Sequence, residues 1–236
     1  MAEDSRSFSG RKNSVAAHSK RRSFFELAIS YSLILLVIWT PRPWQKHLWW
    51  VAAAAVVIIT CISFDGLKAM GLRTANFFRS LWVAGAALLL GAIAILVAAR
   101  LDTLHLPDGP ILFIKTYWAY ALWAGVQQFL LLGFFLPRFL RLLPGSKSAA
   151  LLAAVLFALA HLPSPVLTPI TFLWGLAACL IFLHYRNLYP LAMAHAILGI
   201  TIAITVPGPV DHNMRVGLGY LTYHRHARQP AQLSQP

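Results

Sequence analysis

The stretch Ala124–Phe139, AGVQQFLLLGFFLPRF, decides the fold. Two adjacent primary amides, Gln127 and Gln128, sit inside a run that is otherwise fit for lipid. Continued from Tyr117 to Leu136, the run reaches the roughly 20 residues that a helix needs to cross a bilayer. Hydrocarbon offers an amide no hydrogen-bond partner, so both glutamines must find polar groups on other helices. A lone anchor cannot satisfy them. The stretch therefore predicts a bundle of helices with a polar interior.

Working outward, the same apolar pattern recurs. The 236 residues are 58% hydrophobic and 11% charged, with a mean hydropathy of +0.65. A soluble domain carries about 25% charged residues. Candidate spans are Phe24–Thr40, His47–Phe64, Leu81–Ala99, Tyr117–Leu136, Ala149–Leu162, Val166–Leu183 and Tyr189–Val206. The expected fold class is all-α, a polytopic transmembrane helical bundle of about seven spans. Ala149–Leu162 is short and is closed by Pro163 and Pro165, which suits a partial or re-entrant helix. Residues 1–23 read as a disordered basic cytoplasmic arm, 24–207 as the bundle and 208–236 as a polar tail.

Lys and Arg number 20 against 7 Asp and Glu. In this setting the excess points to loop topology and membrane lipids with anionic headgroups, with the N-terminus cytoplasmic, and not to nucleic acid. Cys61 and Cys179 both lie in apolar runs and read as small packing residues without a disulfide. No internal repeat supports an inverted-repeat transporter.

Within the spans, few polar groups survive. Glu26, His47 and His184 lie near span ends, where long or amphipathic side chains reach the interface. Gln127, Gln128, His161 and His195 remain, on three different spans. A single histidine in a bundle is more often a hydrogen-bonded packing residue than a catalyst. Four such groups gather most cheaply around one another, as a polar network or as a site. Phe157 and His161 are four apart and share a helix face, and Gly199 lies one turn beyond His195, leaving space beside it.

These residues carry a resemblance. The motifs are Gln127-Gln128-Phe129-Leu130-Leu131-Leu132-Gly133, Phe157-Ala158-Leu159-Ala160-His161 and His195-Ala196-Ile197-Leu198-Gly199. In order and placement they resemble the E-E-x-x-x-R, F-x-x-x-H and H-x-x-x-N motifs of the CAAX prenyl protease and bacteriocin-processing (CPBP, or Abi) intramembrane peptidases, over about residues 115–206. The resemblance implies an intramembrane endopeptidase in a bacterial cytoplasmic membrane. Its partner would be a membrane-embedded or membrane-associated peptide or protein, lipid-tailed or not. It implies that His161, His195, Gln127 and Gln128 occupy the catalytic positions. Glutamines stand where that family has glutamates, Leu132 where it has arginine and Gly199 where it has asparagine. Losing both partners of the family's Glu–Arg pair leaves a neutral Gln128 and Leu132, with no stranded charge.

An amide does not titrate near neutral pH, so neither glutamine serves as general base. Either can orient a water or donate to a carbonyl oxygen. His161 or His195 is a candidate base. A divalent metal such as zinc is a second route, with His161, His195 and His212 as candidate ligands, since a catalytic zinc usually takes three protein ligands. Asn213 is a candidate oxyanion donor. The competing expectation is a catalytically inactive protein of the same fold that binds a membrane peptide or partner protein. A small channel has no lining run of charge to support it.

Overall fold

The computed structural model describes the backbone of residues 2–223 and the side chains of residues 19–223. Most of the segment read as a basic arm therefore lies outside the described side chains, and the last part of the tail, 224–236, lies outside the described residues. The helices in chain order are α1 (Ala2–Trp39), α2 (Arg42–Ile62), α3 (Phe77–Ser80), α4 (Trp82–Arg100) and α5 (Pro110–Phe129). A π-helical segment, Leu130–Phe135, follows without a break. Then come α6 (Leu136–Leu142), α7 (Ser146–Leu159), α8 (Leu167–Tyr185), α9 (Tyr189–Thr205), α10 (Gly208–Asp211) and α11 (Gly217–Leu221). The protein is an all-α membrane bundle, and there is no strand among the described residues.

Five helical stretches among the described residues are long and apolar enough to cross a bilayer: Ser19–Trp39, Arg42–Ile62, Phe77–Arg100, Pro110–Leu142 and Leu167–Tyr185. Two apolar helices are shorter, Ser146–Leu159 and Tyr189–Thr205. The first of these matches the segment read as a partial span. At 14 residues it rises about 21 Å, less than the hydrocarbon thickness of about 30 Å. Prolines set several starts: Pro110 opens α5 and Pro190 lies in the first turn of α9.

The π segment differs from the uninterrupted helix expected over Tyr117–Leu136. Its physical reason is Pro137, just beyond it. Proline has no N–H to give the carbonyl one turn earlier and crowds that carbonyl as well. Widening the helix to i→i+5 bonding lets the chain pass without ending.

Small residues set the tightest packing. Ala149, Ala150, Ala153 and Ala154 on α7, with Ala178 and Cys179 on α8, are almost fully buried, so the two backbones approach closely. Phe134, Leu131, Leu132 and Leu136 fill the space beside them. Large apolar side chains such as Leu88, Leu89 and Leu90 point outward, as lipid contact requires. Cys61 and Cys179 are free thiols.

One end of the bundle carries a charge network. Glu26, near the start of the first span, is buried among protein groups. Its carboxylate accepts from Arg138 Nε at 2.8 Å, from Arg22 Nε at 2.8 Å and from the Ser63 hydroxyl. Arg138 is 3% exposed and stacks over Phe134 with its guanidinium 3.6 Å from the ring centre. The basic segment 138–148 begins within α6. Its first arginine turns inward because a buried carboxylate on α1 waits for it.

At the opposite end the tail folds back. The Gly217 N–H donates to the Leu162 carbonyl at 2.7 Å, tying the tail to the turn after α7. Gly217 holds φ +55, and a Cβ there would run into the Ile38 backbone. Only glycine fits both constraints. The chain from Gly208 to Thr222 thus covers one mouth of the bundle instead of leaving it.

Candidate active site

A cavity of about 940 Å³ opens among α1, α2, α5, α7, α8, α9 and the returned tail. Its wall is mostly aliphatic and aromatic, with Ile34, Val56, Leu130, Leu156 and Leu198 among its members. Gln127, His161 and His195 line it together. The three spans expected to bring polar groups inward do so at one place.

Gln128 stands behind the wall, fully buried. Its Oε1 lies 2.9 Å from His195 Nδ1 and accepts from Trp174 Nε1 at 3.2 Å. An indole N–H is a donor only, so the amide oxygen must face Trp174. That oxygen carries no proton, so His195 Nδ1 must be the donor. The neutral imidazole then bears its lone pair on Nε2. The Gln128 Nε2 group is buried without a hydrogen-bond partner among the described residues.

His161 repeats the logic. Its Nδ1 lies 2.7 Å from the Phe157 carbonyl oxygen, an acceptor only, so Nδ1 donates and Nε2 carries the lone pair. Phe157 also packs its ring between the two imidazoles, with centroids 4.9 Å from His161 and 5.8 Å from His195. Gly175 of α8 lets it do so: a Cβ there would sit 3.1 Å from Phe157 Cδ1. Trp174 holds the other side of His195, with ring centroids 6.2 Å apart. The F-x-x-x-H spacing thus has a geometric reason: the phenylalanine gives its carbonyl to one histidine and its ring to both.

Gln127 and Gln128 part company because neighbours on a helix point about 100° apart. Gln127 faces the cavity, and its amide makes no hydrogen bond to any described residue. Gln128 orients His195. Leu132, at the position of the family's arginine, is fully buried in the apolar core.

His212 does not join the other two histidines. Its ring stacks on Tyr220 and Tyr223 at 3.9 and 4.9 Å, and its Nδ1 lies 3.0 Å from the Tyr220 carbonyl. No group of three His, Cys, Asp or Glu side chains that could hold a metal ion exists among the described residues. The zinc set His161, His195 and His212 is therefore not assembled by this chain. Asn213 does line the cavity, with its Nδ2 donating to Tyr223 Oη at 3.0 Å.

Three lining or supporting residues were not singled out in the sequence: Trp174, Tyr120 and Asp211. Tyr120 had a signal, since it lies seven residues, two turns, before Gln127 and so on its face. It fills the space that Gly199 leaves: a Cβ on Gly199 would overlap the Tyr120 hydroxyl and ring. Asp211 enters only because the tail returns. It is 1% exposed, and burial pushes its carboxyl above the usual range, against backbone N–H groups of Asn213 and Met214 and the nearby His105, which pull it down.

Residues 110–201 match a family model described as Rce1-like, type II CAAX prenyl endopeptidase. The match contains Gln127, Gln128, His161, His195 and Gly199, and it stops before the returned tail. No curated protein and no solved structure matches the chain.

Proposed function

From a core, residues 110–201, of the CAAX-endopeptidase (CPBP) type, we propose that the protein is an intramembrane endopeptidase of non-standard site, cutting membrane-embedded or lipid-tailed peptides. The observation that carries this reading is the pair of donors converging on Gln128 Oε1, because it fixes the His195 tautomer with its basic nitrogen free. In this reading a water sits between the Nε2 atoms of His161 and His195. His195 Nε2 takes a proton from it as its oxygen bonds to the peptide carbonyl carbon. The Gln127 amide N–H donates to the developing oxyanion. The proton on His195 then passes to the leaving amine, and the C–N bond breaks. Gln128 keeps the imidazolium aligned through Nδ1–H but, being neutral, stabilises its charge less than a carboxylate would. The site is therefore a slow one.

The apolar wall suits a hydrophobic peptide segment, and enclosure by the tail shields the reacting water. In bacteria, with the N-terminus cytoplasmic, the charge network of Glu26 and Arg138 would lie at the cytoplasmic end.

The test is cleavage of a quenched hydrophobic peptide by the protein in lipid nanodiscs. Loss of cleavage in His195→Ala and in His161→Ala supports the reading, and undiminished cleavage in both overturns it. The second reading, a binding protein that does not hydrolyse, is favoured by one observation: neither amide of the pair can titrate. It predicts that the same peptides bind and are never cut.

A further inference from the structure

The cavity has two polar ends, and the reading above uses one. At the other stands Asp211. Its Oδ1 accepts from the Asn213 N–H at 2.9 Å, while its Oδ2 is buried without a hydrogen-bond partner among the described residues. The residue lines the cavity and is 1% exposed. Among the described residues, no Lys or Arg lines that cavity and Asp211 is its one acidic residue. A carboxylate oxygen left without a partner in an apolar enclosure costs free energy unless a donor comes to it. Close by, His105 shares the wall, and its Nδ1, 3.0 Å from the Thr103 carbonyl, is already occupied.

We propose that the Asp211 end is a cation subsite, taking the ammonium or guanidinium group of a basic residue in the peptide whose apolar part fills the rest of the cavity. The peptide part rests on the reading in the preceding subsection; the cation part rests on Asp211 alone. Geometry gives the register. His105 N–H donates to the Ile204 carbonyl at 3.0 Å, which puts this end of the cavity near the level of Ile204. Nine residues of α9 separate Ile204 from His195, a rise of about 13 Å. An extended peptide covers that in about four residues. The basic residue thus lies about four positions from the bond that is cut.

The experiment uses the full chain in zwitterionic nanodiscs and apolar peptides carrying one Lys or one norleucine, with that position walked along the peptide. Binding is read by fluorescence anisotropy. The wild type is expected to prefer Lys roughly tenfold at one position. Asp211→Asn keeps the oxygen that caps Asn213, so it should bind the norleucine peptide unchanged and lose the preference. A preference absent from the wild type, or intact in Asp211→Asn, overturns the subsite. A second pair, dodecylammonium and dodecanol, separates the two readings. If the amine raises the unfolding temperature more than the alcohol does, in the wild type and not in Asp211→Asn, while no peptide binds, the subsite stands and the peptidase reading falls.

Discussion

The phenol of Tyr120 lies where any side chain on Gly199 would have to go. One residue comes from α5 and the other from α9, and the two helices pack so that ring and notch fit each other. Gly199→Ala should therefore overpack the interface and lower stability by about 1–3 kcal/mol. Tyr120→Ala should open a cavity. The double variant Tyr120→Ala with Gly199→Ala should be more stable than the sum of the singles predicts, because removing the ring makes room for the new methyl group. Thermal unfolding of the four proteins in detergent reads this coupling, and simple additivity would show that the notch and ring do not depend on each other.

A glutamate fits position 128 better than the glutamine that occupies it. Both neighbours, Trp174 Nε1 and His195 Nδ1, donate to that side chain, and the amide nitrogen finds no acceptor among the described residues. Gln128→Glu should remove the orphan donor and place a carboxylate against the imidazole. A charged partner stabilises the imidazolium, so His195 should become a stronger base. Peptide cleavage is expected to rise about tenfold, a fraction of the roughly 10²–10⁴ that general base catalysis supplies in full. The Gln127→Glu change puts its carboxylate in the cavity without those donors. An equal gain from both would show that the His195 contact is not what matters.

How much of this was legible in the sequence follows the range of each interaction. The spans are local, and seven apolar stretches map onto seven helices. The gathering of Gln128, His161 and His195 was readable because each needs a polar partner that lipid cannot give. Their division of labour was not: which glutamine faces the cavity depends on the rotation of α5, where Gln128 meets Trp174 of α8 and His195 of α9. The π turn had a signal in Pro137, overshadowed by the continuous hydrophobicity around it. Asp211 had none, since its burial depends on a Gly217–Leu162 bond across 55 residues.

The Glu26–Arg138 pair spans 112 residues and is similarly invisible in sequence. Glu26→Gln should strand the Arg138 guanidinium, already carrying one unpartnered buried nitrogen, and cost about 3–5 kcal/mol. Adding Arg138→Met should recover much of the loss by making the site neutral throughout. Unfolding in detergent measures both. If the single change is harmless, Arg138 must have another route to water.

Asp211 gives a prediction whose sign differs from that of most carboxylates. Burial raises its carboxyl in the folded protein, so between the ordinary value and the raised one the folded state holds a proton that the unfolded state has released. Stability then falls as pH rises through that window. Below the ordinary carboxyl range, about pH 3.9, both states are protonated and the penalty vanishes. The electrostatic pull of His105 and the backbone N–H groups of Asn213 and Met214 oppose the shift without cancelling it. Asp211→Asn should therefore unfold at a higher temperature than the wild type near neutral pH and at nearly the same temperature at about pH 3.5. A variant stabilised equally at both would show that the carboxyl's charge is not the cause. A variant destabilised at neutral pH would mean that the ionised oxygen already has a partner.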